Sequence, residues 1–216
     1  MKIDLHTHSV GSPDGGLTGE DYRRVLENGQ LDYVAITDHG TVEMALKIQQ
    51  KLGKLGKRVI IGEEIKTTDG ELIGLYLTEN IPEGLSPIET IGAIKAQGGL
   101  VYVPHPFETV RSGMSERGLE SVIEAIDIIE THNGRAYFGN KGSSAAKVAA
   151  RYHKATAAAS DAHGRAGWAR TASIITEKPN RENLVELLKN ANQQTGRVGI
   201  GILYPKCNRL KKKFSL

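Results

Sequence analysis

Short runs rich in valine and isoleucine, "KIDL", "DYVAIT", "RVIIG", "ELIGLYL", "GLVYVP", "AIDIIE", "ATAAAS" and "ASIIT", recur along the chain. Between them lie longer stretches with helical spacing: "TGEDYRRVLENG", "VEMALKIQQKLGKLG", "SPIETIGAIKAQGG", "SERGLESVIEA", "SSAAKVAARYHK" and "NRENLVELLKNAN". Several of these begin at Ser, Thr or Asn, whose side chains cap a first helical turn, and several stop at glycine. Parallel strands need crossover connections, so strands alternating with helices predict an α/β protein with a mainly parallel sheet. With seven or eight such units, a closed barrel and an open doubly wound sheet both satisfy the pattern. The 216 residues suffice for one sizeable core, and a single domain is expected.

The residues that follow the runs carry the chemistry. "IDL" leads to His6 and His8, "YVAIT" to Asp38 and His39, "VIIG" to Glu63 and Glu64, "VYVP" to His105, "IDIIE" to His132, and "TAAAS" to Asp161 and His163. In parallel α/β folds the C-terminal strand ends share one face, so ligands scattered along the sequence would converge there. His6 and His8 are two apart, which in an extended strand puts both on one face, a placement with little packing rationale. Asp4 shares that face one step deeper and is expected to orient an imidazole. Of Glu63 and Glu64 only one need face the site, and His153, inside a helical stretch, is expected to face solvent. His132 is followed by a turn-like "HNG" and fits a ligand or a surface residue equally well.

Composition excludes several other classes. Charged residues at 25% and apolar residues at 39% fit an ordinary globular chain rather than a disordered or fibrous one. The net charge of +3 is small and much of it lies in the closing "NRLKKKFSL", so charge alone predicts no nucleic-acid partner. Cys207 is the single cysteine, which rules out an internal disulfide and fits a reducing compartment, the cytoplasm. No basic segment precedes an apolar one at the N-terminus, and no apolar run approaches a membrane span, so neither secretion nor insertion is expected.

Histidine and carboxylate without thiolate suit Zn, Mn or Fe better than a closed structural zinc site. More than four ligands imply more than one ion. Two ions about 3.5–4 Å apart, linked by a carboxylate, are a common solution for phosphate-ester hydrolysis.

Four stretches, "DLHTHS", "ITDHGT", "VPHP" and "SDAH", occur in an order that, over nearly the whole chain, resembles the PHP (polymerase and histidinol phosphatase) domain of metal-dependent phosphoesterases. The resemblance implies a distorted (β/α)7 TIM-like barrel without a large cap insertion, with two or three divalent ions at the C-terminal strand ends. By position it implies His6 and His8 on one ion, with Glu64 bridging and Asp161 nearby. His105 and His132 would serve a second, and Asp14, of "SPDG", would join His39 and His163 at a third. On this reading residues 1–195 form the domain and 196–216 a basic C-terminal extension.

Two departures from the family pattern bear on function. Glu71 stands where many members have a histidine, and it reads equally as a hard ligand or as a solvated strand residue. The stretch from Glu71 to His105 leaves room only for a strand and one helix. An uncapped site would admit a larger phosphoester such as an RNA end, or leave closure to a protein partner or a second copy of the chain.

Phosphate calls for cations, and Arg111, Arg165 and Arg170 are the expected substrate-binding residues, with Arg135 and Lys141 as weaker choices. Trp168 is expected either to stack on a base or, more simply, to pack against a helix. The expected chemistry is attack of a metal-activated water on a phosphomonoester or terminal phosphodiester, of phosphatase or exonuclease type. Arg111 would neutralise charge, and His163 or Asp161 would handle a proton. The alternatives are an amidohydrolase acting on C–N bonds and a non-catalytic, metal-stabilised binding module. The basic tail reads as a solvated terminus or as a guide for a polyanion.

Overall fold

A computed structural model of the protein describes residues 1–137 and 140–214. The elements are β1 (Lys2–Asp4), α1 (Gly19–Glu27), β2 (Tyr33–His39), α2 (Glu43–Lys51), β3 (Val59–Lys66), β4 (Glu71–Leu75), α3 (Pro87–Ala96) and β5 (Leu100–Val103). They continue with α4 (Glu116–Val122), β6 (Ile128–Asn133), α5 (Gly142–Arg151), β7 (Ala155–Ala159), β8 (Ala172–Ile174), α6 (Leu184–Lys189), β9 (Asn192–Gln194) and α7 (Tyr204–Lys213). Thr18 and Ser86 cap α1 and α3, each in a reciprocal box with the acidic residue three positions on.

The strands form one sheet in the order β7-β6-β5-β4-β3-β2-β1-β8-β9. The sheet curls until its ends nearly meet: Thr7 bridges Ala162, the Asp161 amide donates to the His6 carbonyl at 2.9 Å, and the His8 amide to the Ala162 carbonyl at 2.9 Å. The domain is therefore a distorted TIM-like α/β barrel, and that closure places the segments after β1 and β7 side by side.

Strand number and direction depart from a simple seven-unit barrel. β4 runs antiparallel to both β3 and β5, and β8 and β9 form an antiparallel flank beside β1. Only four residues join β3 to β4, too few for a crossover, and Gly70 turns the chain with φ +82°.

One apolar cluster packs α1 and α2 residues such as Tyr22, Leu26 and Ile48 against the sheet. A second joins Ile3, Leu5, Ala35, Ile60, Ile73, Tyr102 and Ile128 from successive strands with Leu184, Leu187 and Leu188 of α6. Strands β2 and β3 are buried along nearly their whole length, which explains their continuous rather than alternating apolar sequence. Their parallel register sets His39 beside Glu64 at the C-terminal edge.

Among the described residues no helix is long and apolar enough to cross a membrane. The basic segment expected as a solvated terminus or as a guide for a polyanion folds as α7, which hydrogen-bonds to the barrel through Asn208, Arg209 and Lys212; Ser215 and Leu216 lie outside the described residues.

Candidate metal centre

Glu64 occupies the middle of the cluster at the end of β3. Its Oε2 lies 3.3 Å from His6 Nε2, 3.2 Å from His8 Nε2 and 3.2 Å from His39 Nδ1, while Oε1 lies 3.1 Å from His105 Nε2. Asp161 Oδ1 is 3.7 Å from His6 Nε2 and 3.5 Å from His8 Nε2. Asp14 Oδ1 is 3.5 Å from both His39 Nε2 and His163 Nε2. Glu71 Oε2 approaches His105 Nε2 at 3.9 Å on the open side. Sequence-distant segments, the ends of β1, β2, β3 and β7 among them, thus bring these side chains to one place.

Among the described residues, four overlapping groups have ligand atoms within 4.8 Å of one another: His8, Asp14, His39 and His163; His6, His105 and Asp161; His6, His8 and Glu64; His39, Glu64 and Glu71. Atoms bound about 2.1 Å from a shared ion stand about 3.0–3.4 Å apart at right or tetrahedral angles, close to the spacings found here. Two of the atoms, Asp14 Oδ1 and His163 Nε2, are buried without a hydrogen-bond partner among the described residues. Buried acceptors are rarely left this way unless something else satisfies them. The donor set therefore fits divalent cations.

The other nitrogen of several imidazoles is already committed. His6 Nδ1 donates to Glu130 Oε2 at 3.1 Å, His8 Nδ1 to Ser12 Oγ at 3.1 Å, and His163 Nδ1 to the Asp161 carbonyl at 2.9 Å. Each such bond would leave Nε2 to give its lone pair to an ion, a bound cation displacing any second proton from the ring. Ser12 Oγ in turn donates to Asp38 Oδ1 at 3.0 Å, and Asp38 also accepts from the Ser9 amide at 2.6 Å. Gly15 permits this tight loop, since a Cβ there would meet the Ser9 carbonyl oxygen at 1.9 Å.

Charge at the site is sharply divided. Burial opposes a proton on His8, but hydrogen bonds with Asp161 and Glu64 outweigh it and carry the imidazole up to about 9. Burial would likewise lift Asp161, yet the Arg135 guanidinium and His6 hold it well below the usual carboxylate range. Burial, then the charges of Glu64 and Asp161, raise Glu71 to about 9. His163 is driven down to about 3 by burial, with His8 and Arg135 adding to the effect. His105 and Asp161 hold positive φ values of 29° and 53°, each a strain of order 1–3 kcal/mol that the surrounding packing maintains.

A cavity of about 290 Å³ opens over the cluster, with Glu71, Arg111, Arg135, Pro205 and Arg209 among its lining. Arg111 Nη1 donates to Asp161 Oδ2 at 3.0 Å and its Nε to Glu108 Oε2 at 3.0 Å; Arg135 Nη1 donates to Asp161 Oδ1 at 3.1 Å.

Several expected site residues lie elsewhere. His132 is turned away, its Nε2 donating to the Gly196 carbonyl at 3.1 Å, because a register shift between Glu130 and His132 breaks the alternation of β6. Arg165 is exposed and pairs with Asp21 at 3.3 Å, Arg170 is exposed outside the cavity, and Lys141 is exposed at the start of α5. Trp168 packs edge-on against Tyr22 and donates from Nε1 to Asp4 Oδ2 at 3.2 Å. Asp4 orients no imidazole; it accepts from the Ser160 amide at 3.0 Å and Ser160 Oγ at 2.5 Å. Regular strand ends at Asp4, so strict alternation does not carry through to His6. Glu63 is buried rather than solvated and accepts from the Ile81 amide at 2.9 Å.

Glu130, Ser12, Asn208 and Arg209 were not singled out from the sequence. A glutamate inside the apolar run "IDIIE" was the available signal for Glu130, since a carboxylate in a buried strand needs donors.

The family model described as PHP domain matches residues 4–202. Two uncharacterized proteins of Methanocaldococcus jannaschii are similar in sequence. MJ1587 is 36% identical over 143 residues, 62% of this chain and 84% of that protein. MJ0417 is 34% identical over 170 residues, 76% of this chain and 65% of that protein. A solved two-domain protein from Bacteroides vulgatus, described as containing a predicted PHP-like metal-dependent phosphoesterase, shares the fold with a TM-score of 0.68 at 21% identity. The match covers 91% of this chain and 65% of that one, so the chain spans about two thirds of the length of MJ0417 and of the Bacteroides protein.

Proposed function

The chain belongs to the PHP domain family, and on that premise we propose that it hydrolyses phosphate esters with a cluster of two or three divalent ions, Mn, Zn or Fe. The observation that carries the reading is one carboxylate, Glu64, within 3.1–3.3 Å of four imidazoles, beside two arginines anchored on Asp161. When bound, such a cluster supplies Lewis acidity toward water and toward the phosphoryl oxygens.

The ligand set is His6, His8, Asp14, His39, Glu64, His105, Asp161 and His163, with Glu71 at its open edge. Arg111 and Arg135 provide fixed positive charge beside the developing charge on phosphorus, where preorganised donors act most strongly. With its proton held so weakly, His163 is neutral near pH 7 and is a ligand rather than an acid. The substrate is a phosphomonoester or a terminal phosphodiester, a nucleotide or an RNA end, reached through the uncapped mouth. The two arginines match the charge and the bidentate geometry of a phosphate group, which favours a phosphate ester as the substrate. The lone Cys207 is exposed, which agrees with work in the cytoplasm.

Elemental analysis of purified protein, combined with a phosphate-release screen over nucleotide monophosphates, bisphosphates and short RNAs, tests this reading. Turnover that depends on added Mn and disappears in His6→Ala and His8→Ala is expected. Full activity of both variants in metal-depleted buffer would sink the mechanism. Hydrolysis of cyclic amides alone would make the protein an amidohydrolase, and bound metal with no turnover would make it a binding module.

A further inference from the structure

The contacts of α7 converge on the two loops that carry Asp14 and His163. We propose that α7 is a strap that holds these two side chains as ligands of one ion, with Asn208 and Arg209 as its positioning residues; this rests on the metal reading above. A single amide nitrogen, Asn208 Nδ2, donates to the Asp14 carbonyl at 2.8 Å and to the His163 carbonyl at 2.9 Å. Two segments some 150 positions apart are thereby pinned at a fixed separation. Arg209 Nη2 donates to Asp14 Oδ2 at 2.7 Å. That bond occupies one carboxylate oxygen and leaves the other, buried Oδ1, facing His39 and His163.

The rest of the helix face fits the same purpose. Lys212 Nζ donates to the Val10 carbonyl at 2.9 Å and to that of Ser12. Tyr204 lies so close to Gly164 that a Cβ there would come within 2.6 Å of the ring. Tyr204, Asn208 and Lys212 recur every four residues, so one helical stripe faces the ligand loops. Lys206, Lys211 and Lys213, off that stripe, are exposed.

Asp14 differs from His8 and His163 of the same group. Those two are each oriented by a hydrogen bond from within the barrel, whereas among the described residues the Asp14 carboxylate takes its one hydrogen bond from α7. The Arg209 side chain is 65% exposed, so water screens its charge and its main effect on the ligand is orientation. Residues that orient a ligand typically change metal affinity about 10- to 100-fold when lost.

The test uses the full chain loaded with Mn, freed of excess ion and challenged with EDTA, with retained Mn followed by elemental analysis and folding by thermal unfolding. In Asn208→Asp, which keeps the shape but turns an acceptor toward both carbonyls, one equivalent of Mn should leave at least about tenfold faster than in the wild type. Arg209→Met should do the same, Arg209→Lys should fall between, and Lys206→Glu should match the wild type. The other ions should be released at the wild-type rate in every variant. Unchanged release in Asn208→Asp and Arg209→Met overturns the strap, as does equal acceleration of every ion, the mark of general loosening. A wild-type protein that takes up no Mn, Zn or Fe overturns the metal reading itself, which is a different result.

Discussion

His6 Nδ1 stands 3.1 Å from Glu130 Oε2, and both side chains are fully buried. Glu130 also accepts from the Tyr102 hydroxyl at 2.5 Å, the Asn133 amide at 2.6 Å and the His105 backbone at 3.1 Å. Burial would raise its pKa, but these donors, His6 foremost, pull it below the usual range, so the carboxylate is charged at neutral pH. One buried anion thus orients a ligand from the segment after β1 and the loop that carries His105.

Glu130→Gln keeps the shape but must turn an amide N–H toward at least one of those donors. Metal affinity should fall about 10- to 100-fold, and stability should drop by about 2–4 kcal/mol as buried donors lose an acceptor. Titration with Mn and thermal unfolding of the same preparation check both. Wild-type affinity in this variant would show that His6 needs no such support.

His105 and His132 separate what a strand end supplies from what it only resembles. His105→Ala removes an imidazole 3.1 Å from Glu64 and should cost most of one bound ion. His132→Ala removes a bond to the Gly196 carbonyl and should leave metal content unchanged, with a stability loss of about 1 kcal/mol. Elemental analysis of the two proteins decides. Metal loss in His132→Ala would reverse the assignment.

The difference between those two histidines marks where the sequence stops being readable. Strand ends are legible because buried strands must be apolar and must stop where polar side chains begin, so His6, His8, His39, Glu64, His105, Asp161 and His163 stand out. The bulge between Glu130 and His132 in the pairing of β6 with β7 leaves no local trace, so a side chain that reads equally as ligand or surface residue, and that the family resemblance would put on an ion, turns to the Gly196 carbonyl. The β3 to β4 hairpin was readable in principle from "TTDG", a turn signal between two apolar runs. The docking of α7 was not, because its charged sequence resembles a solvated tail and its partners, apart from the Asp14 carboxylate, are backbone carbonyls.

Arg111 and Arg165 test which cations serve the substrate. Arg111 lines the cavity and donates to Asp161, whereas Arg165 is exposed and pairs with Asp21. Arg111→Ala should lower kcat/KM on an aryl phosphate about 10²- to 10³-fold, with Arg111→Lys recovering part. Arg165→Ala and Arg170→Ala should stay within about twofold, since exposed charges away from the reacting centre contribute little. Equal losses at Arg111 and Arg165 would move the phosphate out of the cavity.

Glu63 sits one residue from Glu64 but serves packing, and its cost depends on pH. Its Oε2 accepts from the Ile81 amide, while Oε1 is buried with no partner among the described residues. Burial, aided by the charge of Glu83, raises the carboxyl from 4.5 to about 7. In the unfolded chain the group ionises near 4.5, so between 4.5 and 7 the folded state holds the proton more tightly. Stability therefore falls as pH rises through this window, and above 7 the full penalty of about 3 kcal/mol applies. Glu63→Gln removes the penalty while keeping an acceptor for Ile81. Its amide N–H, left without a partner, adds a cost that is the same at every pH. The variant should thus gain on the wild type by about 3 kcal/mol more at pH 8 than at pH 4. Urea unfolding of both proteins at the two pH values measures that difference, and an offset that does not change with pH would mean that Glu63 titrates normally.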